Sequence, residues 1–184
     1  MVYQYQGHGG KDAGAISSRI VEKDMNLVLV EKLEKALIEK GAVVFLTRDG
    51  DYDLSSSDNN RKRNDLYNRV KLINESNCDM YISMHLNSTN SSKWNGLQIF
   101  YSSVNEENKI IAEVITEEIK KNTSNVREVK KNNEYYMYPK IKVPGVLIEA
   151  GFISNPGDNY LLRQEDYQDK LINNITEGIV KYFS

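Results

Sequence analysis

The stretch Asp24–Thr47, DMNLVLVEKLEKALIEKGAVVFLT, changes its hydrophobic period at a single glycine, and that change decides the fold. Up to Lys40, Leu29, Leu33, Ala36 and Leu37 recur at three- and four-residue spacing, which puts them on one face of a helix. Gly41 supplies the helix stop. Beyond it, Ala42-Val43-Val44-Phe45-Leu46-Thr47 is an unbroken apolar run rich in β-branched and aromatic residues, as expected of a strand covered on both faces. A helix feeding such a strand through one turn is half of a βαβ unit.

The alternation continues in both directions. A short strand near Val2–Tyr5 precedes a glycine-rich loop; downstream, a polar loop at 50–60 leads to a helix over Arg61–Glu75, a strand over Asp79–Met84 and another over Gly96–Tyr101. A third helix spans Asn105–Lys121, Val146–Glu149 is a further strand, and a last helix begins at Asp166. Between Thr123 and Lys142 the pattern is weakest, with Tyr135-Tyr136-Met137-Tyr138 read as extended ahead of Pro139. The expected fold is α/β, a three-layer sandwich with a mostly parallel, twisted sheet flanked by helices. With 184 residues and 40% hydrophobic content the chain supports one core, so residues 1–184 read as one domain.

A net charge of −2, with the basic clusters Arg61-Lys62-Arg63 and Lys130-Lys131 short and separated, argues against nucleic acid as a partner. Cys78 is the only cysteine, so neither a disulfide nor a thiolate metal site is available, and it reads as a small core residue. No run of about twenty apolar residues provides a transmembrane segment.

Both histidines of the chain stand at the ends of expected strands, where open α/β sheets gather their ligand sites. His8 is flanked by glycines in Gly7-His8-Gly9-Gly10, and His85 follows Met84. A hydrolytic zinc commonly takes two histidines and a carboxylate and keeps one open position. Glu22, at the end of the loop that starts at His8, is the candidate third ligand; its ordinary alternative is a first-turn glutamate facing the helix dipole. Glu149 sits in an apolar strand, where burial raises a carboxyl pKa and suits it to proton transfer; the structural alternative is a buried salt bridge to Arg48 or Arg69. Asn87 either orients His85 or holds substrate, or else simply forms a turn.

Taken together, Gly7-His8-Gly9-Gly10-Lys11-Asp12-Ala13-Gly14-Ala15, Glu22–Leu27, Leu46-Thr47-Arg48, Ser83-Met84-His85-Leu86-Asn87 and Leu147–Pro156 resemble the zinc-dependent N-acetylmuramoyl-L-alanine amidases of the Amidase_3 class, in order and over essentially the whole chain. Within that class Tyr52-Asp53-Leu54, Asn60–Leu66 and Lys93-Trp94-Asn95-Gly96 resemble the CwlD-like sporulation amidases of endospore formers. The resemblance implies Zn2+ held by His8, Glu22 and His85, and Glu149 as the catalytic proton carrier. It also implies a peptidoglycan substrate, with stem peptides removed ahead of muramic-δ-lactam formation in the spore cortex and later germination. A lipoprotein partner and an extracytoplasmic place in the cell envelope, around the forespore, follow as well. Because no signal or anchor segment is visible, the chain reads as a mature or truncated form.

One departure stands out: the family commonly carries Asp-Pro immediately before the Gly-His-Gly-Gly stretch, and this chain has Tyr5-Gln6. The positioning of His8 is therefore what the structure has to explain. Rival readings are a zinc carboxypeptidase or deacetylase, a peptidoglycan-binding protein that does not cleave, and a partner-dependent protein with an incomplete site. Trp94 stands as either a sugar-stacking residue or sheet-edge packing, the Tyr135–Tyr138 cluster as packing without a site role, and the 50–60 loop as a possible restriction on access.

Overall fold

The computed structural model describes residues 1–184. Six strands, β1 (Val2–Gln6), β2 (Val44–Leu46), β3 (Met80–Asn87), β4 (Gln98–Tyr101), β5 (Lys130–Lys131) and β6 (Gly145–Phe152), form one sheet in the order β2-β1-β3-β6-β4-β5. All neighbours are parallel except β4 and β6. Five helices cover it: α1 (Glu22–Glu39), α2 (Arg61–Glu75), α3 (Glu107–Lys120), α4 (Pro156–Leu162) and α5 (Glu165–Phe183). The mostly parallel three-layer sandwich expected from the alternation is the observed architecture.

The period of two along the strands sorts side chains onto two cores. Met80, Ile82 and Met84 of β3 and Val146 and Ile148 of β6 point to one face, where Leu29 and Leu33 of α1, Ile111 and Ile115 of α3, and Leu171 and Ile175 of α5 close the larger core. Tyr81 and Leu147 point to the other, where Val70 and Ile73 of α2 and Met137, Tyr138 and Ile141 cover a smaller one that also takes in Cys78. His85 and Glu149 continue the Tyr81 and Leu147 series, so the alternation carries both to the α2 face. Gly145 begins β6 so close to Tyr81 that a Cβ would lie 2.1 Å from its carbonyl oxygen.

Several boundaries differ from expectation for identifiable reasons. The run Ala42–Thr47 yields only the three-residue strand β2, and it is the sheet edge rather than a strand covered on both faces: Phe45 is 41% exposed. Period analysis cannot separate an apolar edge from a buried centre. β3 runs through His85 to Asn87, with a register irregularity between these two, so His85 lies within the strand. Tyr138–Lys140 forms a 3₁₀ turn rather than an extension, with Pro139 inside it. α4 lies in a stretch that carried no helical period; Asn155 caps it, accepting from Gly157 N at 2.9 Å and Asp158 N at 3.1 Å.

At the opposite end of the sheet from the C-terminal tips of the parallel strands, Met1 pairs with Asp79, and Met1 and Ser184 line one shallow hollow.

Candidate metal centre

Beyond β1 the chain enters the Gly7–Gly10 loop with its register preserved, Gly7 N donating to Met84 O at 3.0 Å. His8 then adopts φ 64°, a left-handed conformation that L residues seldom hold. What holds it is a pair of buried guanidinium groups. The His8 carbonyl accepts from Arg48 Nε at 3.0 Å and Arg69 Nη2 at 2.9 Å. Arg69 also donates to Gln6 O at 2.8 Å, and Arg48 to Gly50 O and Lys23 O, each at 2.7 Å. Asp65 balances Arg69 through both carboxylate oxygens, at 2.9 and 2.8 Å. Arg48 has no carboxylate partner and spends its donors on backbone.

The Tyr5-Gln6 departure fits this scheme. Gln6 Oε1 accepts from Thr47 Oγ1 at 2.9 Å and Arg48 N at 3.3 Å, tying β1 to the end of β2. The Tyr5 ring lies beneath the Arg69 guanidinium at 4.7 Å and 5.6 Å from the His85 ring. The 50–60 loop does not roof the cleft; it braces the His8 loop, with Gly10 N donating to Asp51 Oδ1 at 2.8 Å.

Glu22 opens α1, and the preceding loop folds back over it through Glu22 N to Ala15 O at 2.9 Å. Its Oε1 lies 3.2 Å from His8 Nε2 and 3.1 Å from His85 Nδ1, while Oε2 accepts from Ala15 N at 2.8 Å. The two imidazoles meet edge to face at 5.2 Å. One donor atom from each of His8, Glu22 and His85 lies within 4.8 Å of the others. Behind His8, Asp12 Oδ2 sits 3.0 Å from Nδ1, the carboxylate–histidine arrangement that orients metal-ligating rings.

Burial alone would lower the His8 pKa, but hydrogen bonds to Asp12 and Glu22 outweigh it and raise it to about 9. For His85 burial prevails over its Glu22 contact and the pKa falls. Burial pushes Glu22 upward, yet the two histidines hold it below the usual carboxylate range. Two histidines and a carboxylate converging in this way match a donor set used by hydrolytic zinc. Three buried atoms of residues lining the cleft lack a well-formed hydrogen bond within the protein: His8 Nδ1, which has only the charge of Asp12 beside it, His85 Nε2 and Glu149 Oε2. Such atoms are costly to leave unpaired, and a bound cation and substrate would supply what the last two lack.

Glu149 lies opposite His85 in the β3–β6 register and is 7% exposed. Neither Arg48 nor Arg69 reaches it, since both are engaged around His8, so the salt-bridge alternative is not what the fold builds. Burial, reinforced by the Glu22 charge, pushes the Glu149 carboxyl up to about 8.

The cleft uniting these groups measures about 370 Å³. Asn87, at the end of β3, forms part of its wall, and its carbonyl accepts from Ile153 N at 2.9 Å. Tyr135, Tyr136, Met137 and Tyr138 also line the cleft, correcting the expectation that this cluster only packs. Trp94 lies outside it, half-exposed, with Arg127 over its ring at 5.0 Å. Three tyrosines beside a proline in a polar, aperiodic segment were the available signal for this wall.

Gly7 is set by contact. A Cβ there would lie 2.2 Å from His85 Cε1, so Gly7→Ala must turn the imidazole. If His85 is one of the ligands, turning its ring in this way is expected to weaken metal binding by roughly tenfold or more, measured by chelator competition.

A family model described as N-acetylmuramoyl-L-alanine amidase matches residues 5–181. The germination-specific N-acetylmuramoyl-L-alanine amidase of Bacillus subtilis is 41% identical over 189 residues, covering 100% of this chain and 80% of that protein. Among solved structures, the CwlD amidase from Clostridioides difficile in complex with the GerS lipoprotein aligns with a TM-score of 0.93 at 37% identity, over 99% of this chain and 97% of that one. The catalytic domain of CwlV, an N-acetylmuramoyl-L-alanine amidase from Bacillus (Paenibacillus) polymyxa, aligns with a TM-score of 0.86 at 31% identity, over 99% and 97%. With the match running from β1 into α5 and the fold shared from end to end, the chain belongs to the N-acetylmuramoyl-L-alanine amidase family.

Proposed function

We propose that the protein is a zinc-dependent amidase that hydrolyses the bond between the lactyl carbonyl of muramic acid and the L-alanine nitrogen of the stem peptide. The observation that carries the reading is the unpartnered, buried carboxyl of Glu149 facing the same cleft as His8, Glu22 and His85. When bound by those three residues, zinc supplies a Lewis acid for the amide carbonyl, acidifies water and draws Glu149 toward its ionised form. Glu149 takes the proton from the attacking water and delivers it to the alanine nitrogen, which leaves as an amine. Asp12 fixes the His8 ring and Glu22 lies between the two imidazoles, so neither is free to carry that proton. Asn87 stands where it can touch substrate or steady the end of β3.

Incubation with muropeptides, followed by mass spectrometry, tests the reaction class. New peptides beginning with free L-alanine are expected; release of a C-terminal amino acid or of acetate instead would make the protein a carboxypeptidase or a deacetylase. Chelation is expected to abolish release and to lower thermal stability, because a ligand bound only by the folded state at one hundred times its Kd contributes about 2.7 kcal/mol. Added zinc restores both, whereas unchanged melting after chelation would remove the metal from the proposal.

The similarity to a germination-specific amidase supports a role on spore-cortex peptidoglycan outside the cytoplasm, ahead of muramic-δ-lactam formation. The CwlD relative was solved with a lipoprotein, which supports one as a partner here too. No helix is long and apolar enough to cross a membrane. Loss of muramic-δ-lactam from cortex of a deletion strain, and its return with the wild-type gene but not with Glu149→Gln, is the expected cellular result.

A further inference from the structure

A second cleft of about 610 Å³ opens beside the first, the two sharing Ser88, one residue beyond Asn87. Its walls are the loop before α1, the residues after β3, and the segment from Ile153 into α4. They are braced against one another: Asn159 Nδ2 donates to Ser17 Oγ at 2.8 Å and Ile153 O at 3.1 Å, and Thr89 N donates to Ser154 Oγ at 3.2 Å. The cleft thus has a fixed shape.

Its charge is one-sided. Arg19 and Arg163 line it and no aspartate or glutamate does, in a chain with 26 acidic residues against 24 basic ones. The Arg19 guanidinium makes no ion pair or hydrogen bond. Arg163 uses only Nε, donating to Asn159 O at 3.1 Å, and leans over the Tyr160 ring at 6.0 Å, which leaves both of its Nη atoms free. At the far end of the first cleft Lys62 is paired with Asp12 at 3.3 Å, and next to it Arg61 is paired with Asp53 and Asp58 at 2.8 and 2.9 Å, while Arg63 lies over the Tyr136 ring at 5.6 Å.

We propose that this second cleft is the subsite for the peptide half of the substrate, with Arg19 and Arg163 recognising its free carboxylates. The proposal rests on the amidase reading for its substrate. Of the two halves joined by the scissile amide, the glycan presents hydroxyls and acetamides, whereas the stem peptide carries carboxylates on D-glutamate and on diaminopimelate. Unpaired guanidinium groups separate one from the other, and their planar forks suit carboxylate oxygens.

The probes are the tripeptide L-alanyl-γ-D-glutamyl-diaminopimelate and its fully amidated form, titrated by calorimetry into the zinc-loaded protein and its Arg19→Ala/Arg163→Ala variant. The acidic tripeptide is expected to bind the variant roughly tenfold more weakly, the sum of two partly exposed ion pairs. The amidated form should bind both proteins equally poorly. On muropeptides the variant should show KM raised by a similar factor with kcat retained. Unchanged affinity for the acidic tripeptide, or an equal loss in Lys62→Ala/Arg63→Ala at the opposite end, overturns the assignment. If the arginines govern tripeptide binding yet no muropeptide is cleaved, the subsite stands and the amidase reading fails.

Discussion

Glu149→Gln is expected to cut muropeptide hydrolysis by roughly 10³-fold while zinc content stays at the wild-type level. Glutamine fills the same space and keeps one oxygen, but it neither takes a proton from water nor returns one to an amine. Because Glu149 is not one of the three converging donors, metal content by mass spectrometry should not change. Retained turnover would remove Glu149 from the chemistry, and lost metal would make it a ligand. Retained peptidoglycan binding without cleavage in the variant alone also separates an enzyme from a module that only binds.

The same substitution has a pH signature in the metal-free chain. Burial holds Glu149 at about 8 against an ordinary 4.5, so between those values the fold keeps a proton that the unfolded chain has lost. The unfolded state binds fewer protons across that window, and this group's contribution to stability falls as pH rises from about 4.5 to about 8. Glutamine does not titrate. Melting curves of chelator-treated protein at pH 5 and pH 8 should therefore converge in Glu149→Gln relative to wild type, and equal pH dependence in the two would contradict the burial argument.

Arg69→Ala carries the largest expected cost in stability, about 3–5 kcal/mol, read as a fall in the urea midpoint. It strips the buried Asp65 carboxylate of its only arginine and leaves the Gln6 and His8 carbonyls short of a donor. Arg69→Lys keeps the charge but reaches fewer of these oxygens at once, so an intermediate loss is expected. In Arg48→Ala no carboxylate loses its counter-ion, and the cost should be smaller. If Arg69→Ala and Arg48→Ala are equal, the Asp65 pair is not what sets the scale. Zinc affinity should fall in both, because each of these arginines donates to the His8 carbonyl and so helps hold its left-handed backbone.

How far the fold could be read from sequence follows from what each element buries. α1, α3 and α5 press one face into the larger core, and their three- and four-residue spacing is plain in the chain. β2 is as apolar as a central strand, yet it is an edge, because strand order is set by crossovers that leave no local pattern. α4 has seven residues, too few for a period, and only its Asn155 cap and Pro156 mark it. His8, Glu22, His85 and Glu149 were legible as a set through their ordered resemblance to a family; Glu22 by spacing alone is indistinguishable from a first-turn acid. The arginine clamp on His8 was not legible, since Arg48 and Arg69 meet it from 40 and 61 residues away and hold a carbonyl rather than a side chain.

The hollow shared by Met1 and Ser184 bears on how such an enzyme meets a solid substrate. Peptidoglycan is an insoluble mesh, and a cleft pressed against its own support cannot reach into it. Strands of five to eight residues, about 17–27 Å long, separate the two ends of the chain from the cleft. A bead, a sensor surface or a fused carrier joined at either terminus thus presents the protein with its working face outward. Linkage through the lysines near the cleft, Lys11 or Lys62, would turn that face to the support and hide it.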